Sequence, residues 1–369
     1  MPKRKVVAVP RTAGQQTFEF VSYGRKGPSG ARRLSPGQME QVARTVAKTP
    51  EVMVKVSGGA RDAGGAQAHF DYIDRHGKLD IETDEGREIS GKDAAAELVA
   101  DWNLDLSKGQ YRPKPAPGEK DTRPKVVHNI VLSMPAPTPP EAVLAAAKKF
   151  ARENFALQYR YAMVLHTDQK HPHVHLVVKA EHEYEPGKRL YVRKATLRAW
   201  REQFATYMRE QGVAANATPA HLRGQAHTGK KDPIHQRLKS IAEYDGLSDE
   251  DKAKRAPLKD STFMRKKVEA VARELQDGAL HIEPGKARLV ETRKAVVGDW
   301  MATAATLRAQ GESELASQVE QFVRGLPGVR TEKERIAAGL LAQVEAQRRR
   351  ARVASRHASE APKWRGAAA

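Results

Sequence analysis

Residues 157–182 decide the fold, because they contain two strand-like segments, "LQYRYAMVLHT" (157–167) and "HVHLVVKAEH" (173–182). Only residues 168–172 separate the two segments. Parallel neighbours in a sheet need a crossover connection of roughly a dozen residues or more, so these segments must pair as an antiparallel hairpin. We therefore predict an antiparallel sheet built around this hairpin.

The segments upstream of the hairpin alternate between strand and helix patterns. Further strands are predicted over "EVMVKVSGG" (51–59), "KLDIET" (78–83) and "VVHNIVLSM" (126–134). Helices are predicted over "AQAHFDYIDRHG" (66–77), "GKDAAAELVADW" (91–102), "PPEAVLAAAKKFARENF" (139–155) and "ATLRAWREQFATYMREQG" (195–212). Strands that return on one another between helices favour an α+β fold, in which helices pack on the antiparallel sheet.

Composition divides the chain into three predicted regions. Residues 1–50 carry ten Lys or Arg and two Glu among scattered Gly, Pro and Ser, which is typical of a basic, partly disordered arm. Residues 51–225 hold the alternating strands and helices. Residues 226–369 contain only helical patterns and end in a basic tail, so we expect a helical C-terminal region there.

The overall charge favours a polyanionic partner. Lys and Arg number 64 against 45 Asp and Glu, a formal net charge of +19, which points to nucleic acid; a merely solvated basic surface is the alternative. The chain has no cysteine, which excludes disulfides and thiolate metal sites and fits a reducing compartment. No apolar run approaches the roughly 18 residues that a membrane span requires, so we expect a cytoplasmic protein.

Histidines crowd the hairpin: four of the chain's 13 lie between His166 and His175. Side chains two residues apart on a strand share a face, so His173 and His175 point the same way, while the apolar residues that alternate with them face the core. His166 closes the preceding strand, and the hairpin can bring it beside that pair. His171 breaks the alternation and precedes a proline, so we interpret it as a loop residue.

Three imidazoles without a thiolate suit a divalent cation that keeps open positions for a substrate. Such a cation can polarise a phosphoryl oxygen. Asp168 is expected either to hold a ligand imidazole by its second nitrogen or to lie one step further from the cation. The alternative is that these histidines are ordinary half-buried polar residues of a strand.

The segment "HTDQKHPHVHLVV" (166–178) resembles the third motif of the conjugative relaxases, mobilisation nucleases of the HUH endonuclease superfamily. It is most similar to the single-tyrosine subgroup that includes the T-DNA border endonuclease. In that family the first histidine and the HxH pair bind the cation, which implies ligation by His166, His173 and His175. The resemblance also implies Mg²⁺ or Mn²⁺, with Zn²⁺ as an option, and an antiparallel sheet of about five strands flanked by helices.

The segment "HFDYIDRHGKLDIE" (69–82) is similar to the family's first motif, which implies that Tyr72 is the nucleophile. At helical spacing His69 (i−3), Arg75 (i+3) and His76 (i+4) surround Tyr72. This cationic setting favours the deprotonated phenol, the form that attacks phosphorus. Arg75 and His76 are also expected to contact DNA.

Further DNA contacts are predicted at three positions. The segment "HNIVLSMPAPT" (128–138) is similar to the family's second motif, which implies that Ser133 contacts a DNA phosphate, although Pro137 stands where a glycine is usual. Lys194 and Arg198, at the start of the last helix of the α+β region, can line a DNA groove. A solvated helix face explains these two cations nearly as well.

The resemblance implies a relaxase that nicks one strand of DNA at a transfer origin, stays joined to the 5′ end through a phosphotyrosine and later rejoins the strand. It also implies single-stranded transfer-origin DNA, relaxosome accessory proteins and a type IV secretion coupling protein as partners, in a bacterial protein that can be exported with the DNA. The alternatives are a rolling-circle replication initiator or transposase of the same superfamily, or a non-catalytic DNA-binding protein with a structural metal. Tyr23, in the basic arm, is the rival nucleophile.

Overall fold

The structure, a computed structural model, describes residues 33–104, 113–116, 118–119, 121–169, 171–225, 262–278 and 280–360. Most of the predicted basic arm, residues 226–261 of the predicted helical region, and the end of the basic tail lie outside these ranges. The described residues fall into two compact units, Leu34–Thr218 and the chain from Pro219 onward. Each unit is described by itself.

The first unit is an antiparallel sheet with helices on both faces, which confirms the predicted α+β class. The spatial order of the strands is β1-β4-β6-β5-β2-β3, and every neighbouring pair is antiparallel. The strands are β1 Met53–Gly58, β2 Ile81–Thr83, β3 Glu88–Ile89, β4 Val127–Ser133, β5 Tyr161–His166 and β6 His173–Lys179. The helices are α1 Pro36–Val46, α2 Ala63–Ile73, α3 Ala94–Trp102, α4 Pro140–Phe155 and α5 Lys194–Glu210.

The sheet has six described strands where about five were expected. The additional strand, β3, contains only two residues and pairs with β2 through Ile81↔Ile89 and Glu82↔Glu88. Two residues are too few to show an alternating pattern, so no sequence signal distinguishes this strand from a turn.

The predicted hairpin of β5 and β6 is confirmed, with His166 opposite His173 and Val164 opposite His175. On the other side of β6, His173 lies opposite Ser133 of β4. The three histidines therefore meet at one end of the two central strands.

Alternation along the strands separates two hydrophobic cores, one on each face of the sheet. On one face Val174, Leu176 and Val178 pack with α4 and α5, where the rings of Phe150 and Trp200 lie 5.7 Å apart, edge to face. The other face, which carries His173 and His175, is covered in part by α2 and α3. There Phe70 and Trp102 pack 5.5 Å apart with Val164 and Val177. The histidine face is thus partly apolar and partly open.

Residues 36–46 of the predicted basic, partly disordered arm form helix α1. Ser35 and Gln38 form a reciprocal capping box, in which each side chain accepts a hydrogen bond from the other's backbone N–H. Val42 is completely buried, and the Thr45 hydroxyl bonds that of Thr218 at 2.7 Å. The many basic and small residues of the arm concealed this short amphipathic helix.

The regular elements described in the second unit are all helices: α6 Thr262–Gln276, α7 Gly285–Ala309, α8 Ser313–Arg324 and α9 Glu332–Glu360. The predicted helical pattern is therefore confirmed for these residues. Trp300 of α7 is completely buried, packs 5.1 Å from Phe322 of α8 and donates a hydrogen bond to the carbonyl of Leu222. None of the helices in the described ranges is long and apolar enough to cross a membrane.

Candidate active site

The three predicted metal ligands converge. One nitrogen from each of His166, His173 and His175 lies within 4.8 Å of the other two. The ring centroids are 4.6–5.1 Å apart. His166 and His173 are buried and His175 is half-buried, so the cluster lies below the protein surface. This spacing suits a single cation bound by all three rings.

Backbone carbonyls orient two of these rings. The carbonyl of Ile73 lies 2.5 Å from Nε2 of His166, and that of His171 lies 3.0 Å from Nδ1 of His173. Because a carbonyl only accepts, each of these nitrogens carries a proton, and the other nitrogen of each ring keeps its lone pair. Nδ1 of His175 is buried without a hydrogen-bond partner in the described part of the chain. His173 and His175 can therefore offer a lone pair to a cation, whereas the lone pair of Nδ1 of His166 accepts from Nη2 of Arg75 and becomes available only when that contact gives way.

Burial keeps these imidazoles neutral. It lowers the pKa of His175 to about 3, with neighbouring histidines acting in the same direction. Burial also lowers the pKa of His166 and of His173. Neutral imidazole is the form that binds a metal, so the environment prepares all three side chains for ligation at neutral pH.

Arg75 links the cluster to the predicted nucleophile. Its Nη2 donates to Asp168 Oδ2 at 2.8 Å and lies 3.2 Å from Nδ1 of His166. Its guanidinium carbon lies 5.5 Å from the centroid of the Tyr72 ring. Asp168 thus pairs with Arg75 rather than with an imidazole, which corrects the first of its two predicted roles and leaves it one step removed from the histidines.

Tyr72 lies on the histidine side of α2, and its side chain is 52% exposed. The ring of His69 stacks on Tyr72 at 6.4 Å and lies 6.3 Å from the ring of His175. Burial lowers the pKa of His69 to about 4. A neutral imidazole therefore lies between the exposed phenol and the histidine cluster.

The helix ends earlier than predicted, at Ile73, and this changes the expected positions of two residues. Arg75 and His76 both have a φ of 58°, so they follow the helix in a left-handed turn. Arg75 still reaches Tyr72 because its long side chain folds back, donating to the Tyr72 carbonyl at 3.2 Å. His76 is exposed in the turn, so the i+4 spacing that was expected to place it beside Tyr72 does not apply.

The turn that holds Arg75 depends on Gly77. This residue has a φ of +79°, and a Cβ there would lie 2.4 Å from the carbonyl carbon of Gly91. We expect Gly77→Ala to lower the free energy of unfolding by about 3–4 kcal/mol, because the backbone strain of an alanine at this φ, about 1–2 kcal/mol, adds to the cost of the steric conflict with the Gly91 backbone.

Gly86→Ala provides the matched control for this prediction. Gly86 has a similar φ of +76°, but nothing lies within 4 Å of a Cβ added there. Its substitution is expected to cost only the backbone strain, about 1–2 kcal/mol. Urea denaturation of both variants measures the difference, and equal losses would contradict a specific role for the close approach of Gly77 to Gly91.

The structure does not support the predicted DNA contact of Ser133. Its side chain is buried, and its hydroxyl donates to the carbonyl of Pro172 at 3.2 Å. In the same region, Nδ1 of His171 accepts a hydrogen bond from the backbone N–H of Ala136 at 3.0 Å. The two side chains join the end of β4 and the segment that follows it to the β5–β6 turn, so their role is to fix the turn that precedes His173.

Lys194 and Arg198 lie on α5, which packs on the face of the sheet opposite to the histidines. Arg198 also forms an ion pair with Glu202 at 3.4 Å. Nothing in this arrangement brings these two cations to the histidine cluster. On the histidine face, the cation contributed by β1 is Lys55. It was not predicted from the sequence, although the alternation of Val54 and Val56 with exposed residues indicates which way the Lys55 side chain points.

Residues 85–213 match the family model described as "Relaxase: MobA/VirD2-like, nuclease domain". The resemblance to conjugative relaxases that the third motif predicted is thereby confirmed. The match includes the three histidines but begins after Tyr72.

Three known proteins are similar to parts of the chain. The chain is 24% identical over 204 residues to the T-DNA border endonuclease VirD2 of Rhizobium radiobacter, covering 52% of this chain and 47% of that protein. It is 28% identical over 138 residues to VirD2 of Rhizobium rhizogenes, covering 35% and 30%. The chain therefore spans less than half the length of these curated relatives. A Mn-bound crystal structure of the MobM relaxase domain with plasmid pMV158 oriT DNA is 13% identical, with a TM-score of 0.34, and covers 51% of this chain and 98% of that one.

Proposed function

We propose that this protein is a DNA strand transferase that nicks one strand at a transfer origin, with Tyr72 as nucleophile and a divalent cation held by His166, His173 and His175. The observation that carries the proposal is that three neutral imidazoles converge on one face of the sheet and that the exposed side chain of Tyr72 lies beside that face. The match of residues 85–213 to the relaxase nuclease domain supports the reaction class.

The residues present fit a divalent cation. The donor set consists of three imidazole nitrogens, two of them oriented by backbone carbonyls. Imidazole suits Zn²⁺ well, whereas Mg²⁺ prefers oxygen ligands; Mn²⁺, which the resemblance to relaxases implies, is the first ion to test, with Zn²⁺ beside it. A cation bound here would polarise a non-bridging phosphoryl oxygen of the scissile phosphate.

The side chains of this chain account for the remaining chemistry. The phenol oxygen of Tyr72 forms a bond to phosphorus while the bond from phosphorus to the 3′ oxygen breaks. The phenol gives up its proton, and the departing 3′ oxygen takes one up. Arg75, fixed by Asp168 and lying over the Tyr72 ring, supplies positive charge where negative charge develops. One phosphodiester replaces another, so the 3′ hydroxyl can later reverse the reaction without ATP.

The substrate is proposed to be single-stranded DNA from a transfer origin, and the net charge of +19 agrees with a polyanionic ligand. Relaxosome accessory proteins and a type IV secretion coupling protein are the proposed partners, by analogy with conjugative relaxases alone. A replication origin as the substrate would indicate the rolling-circle alternative instead.

A nicking assay tests this proposal. The purified chain is incubated with single-stranded oligonucleotides that tile the DNA adjoining its own gene, with Mn²⁺ or with EDTA. We expect a covalent protein–DNA band on a denaturing gel and a free 3′ hydroxyl on the released fragment, both lost in EDTA. Binding without any covalent band, under conditions that retain Mn²⁺, would indicate a non-catalytic DNA-binding protein.

A further inference from the structure

Directly opposite residues on three neighbouring strands connect the histidine cluster with an exposed lysine on the edge strand. His175 of β6 lies opposite Val131 of β4, and Val131 lies opposite Lys55 of β1. Directly opposite residues share a face, and adjacent strands are about 4.8 Å apart, so the Lys55 backbone lies roughly 10 Å from that of His175. Lys55 therefore belongs to the same surface as the cluster.

Burial along β1 fixes the direction of the Lys55 side chain. Val54 is completely buried and Val56 packs against the opposite core, so Lys55 points to the histidine face, where it is exposed.

The ammonium group of Lys55 also has no partner among the described residues. It makes no hydrogen bond or ion pair with any other residue that the structure describes, whereas Arg75 is held by Asp168 at 2.8 Å. Some lysines elsewhere in this unit have acidic partners, as Lys148 has in Glu82 at 2.6 Å. A free ammonium beside a phosphate-binding centre is suited to a second phosphate.

An apolar side chain accompanies the lysine. Met53 occupies the next position of β1 on the same face, opposite Ser133, and its side chain is 51% exposed. A thioether packs well on an aromatic ring, and an exposed apolar group beside a phosphate contact suits the π-face of a nucleobase. Lys55 and Met53 together offer a cation and an apolar surface, which are the two contacts that one nucleotide requires.

The position of α2 decides which side of the nick this nucleotide occupies. The Ile73 carbonyl and the Arg75 side chain both contact His166 of β5, so the end of α2 that carries Tyr72 lies on the β5 side of the cluster, and β1 lies on the other side of β6. Attacking and leaving oxygens lie roughly in line at phosphorus. The 3′ oxygen, opposite Tyr72, therefore departs toward β1 and Lys55.

We propose that Lys55 and Met53 form a subsite for the nucleotide immediately 5′ of the scissile phosphate, with Lys55 on its phosphate and Met53 on its base. This inference rests on the proposed function. The subsite retains the strand that ends in the new 3′ hydroxyl, so that this hydroxyl stays in position to attack the phosphotyrosine and reseal the DNA.

Salt dependence of binding tests the phosphate contact without requiring catalysis. Fluorescence anisotropy is measured with a labelled single-stranded oligonucleotide at several salt concentrations. Because each phosphate contact on single-stranded DNA contributes about 0.7 to the slope of log K against log salt, Lys55→Gln should reduce that slope by about 0.7. Lys194→Gln, an exposed lysine on α5 at the opposite face, is the matched control and should leave the slope unchanged.

Half-length oligonucleotides test the side of the nick. Once the nick has been mapped, one oligonucleotide ends with the 3′ hydroxyl at the nick and another begins there. Lys55→Gln should weaken binding of the first about tenfold and leave the second unchanged. Met53→Ala should weaken the first about fivefold without changing its salt slope, whereas Leu157→Ala, which truncates a residue 85% exposed on the connection after α4, should have no effect.

Two results would overturn the subsite: a salt slope for Lys55→Gln equal to that of the wild type, or a loss confined to the oligonucleotide that begins at the nick. Failure of the proposed function is a separate outcome, since it appears as the absence of any adduct from the wild type. In that case the slopes of Lys55→Gln and Lys194→Gln on the intact strand still decide whether Lys55 binds a phosphate.

Discussion

Tyr72→Phe is expected to abolish the covalent protein–DNA adduct, with a loss of at least about 10³-fold in its rate of formation, because the attacking oxygen is removed. DNA binding should remain within about twofold of the wild type, since the aromatic ring stays in place. The side chain of Tyr72 is 52% exposed, so the variant should also unfold at nearly the same temperature. Denaturing gels, anisotropy and thermal denaturation measure the three quantities.

Tyr184→Phe is the matched control for this prediction. The Tyr184 side chain is 75% exposed and follows β6, at the end of that strand away from His173. Its substitution should leave adduct formation unchanged. An adduct of full strength from Tyr72→Phe would transfer the nucleophilic role to another tyrosine, and Tyr23, which lies outside the described residues, would be the first to test.

His175→Ala is expected to lower the affinity for Mn²⁺ by at least about 100-fold and to abolish nicking at micromolar Mn²⁺, because two imidazoles remain of three. His171→Ala is the control, since His171 lies in the turn just before β6 but its ring contacts the backbone of Ala136. The affinity of this control for Mn²⁺ should change by less than about fivefold. Isothermal titration calorimetry measures both variants. Equal losses would show that the cation does not depend on the cluster as proposed.

The pH dependence of Mn²⁺ binding provides a second measurement of the same site. Burial lowers the pKa of His175 to about 3 from an ordinary 6.5 and also lowers those of His166 and His173. Protons therefore compete with the cation only at lower pH. We expect the affinity to fall by less than about threefold between pH 7.5 and pH 6, whereas three imidazoles of ordinary pKa would lose roughly 50-fold over that interval. The larger loss would mean that the rings are solvated rather than buried.

The central part of the fold follows from the sequence because it depends on short-range patterns. A connection of five residues between two apolar segments permits only a hairpin, and alternation places His173 and His175 on one face. The amphipathic stripe of Ala66, Phe70 and Ile73 likewise places Tyr72 on the open side of α2. The hairpin and this stripe are confirmed by the structure.

The parts that the sequence did not predict depend on long-range contacts. Arg75 reaches His166 only because the helix stops at Ile73 and the chain turns through positive φ, a turn set by the approach of Gly77 to Gly91. The pairing of β1 with β4, which aligns Lys55 with the histidines, joins segments some 75 residues apart in the chain, and no local pattern specifies that register.

The most direct test of the central claim is a crystal structure of the protein grown with Mn²⁺, in which anomalous scattering locates the ion. One peak is expected among His166, His173 and His175, about 2.0–2.3 Å from a nitrogen of each ring, with the Tyr72 side chain on the same open face. A peak bound elsewhere, or rings that remain without an ion at millimolar Mn²⁺, would contradict the claim that these three histidines form the metal centre of a DNA nickase.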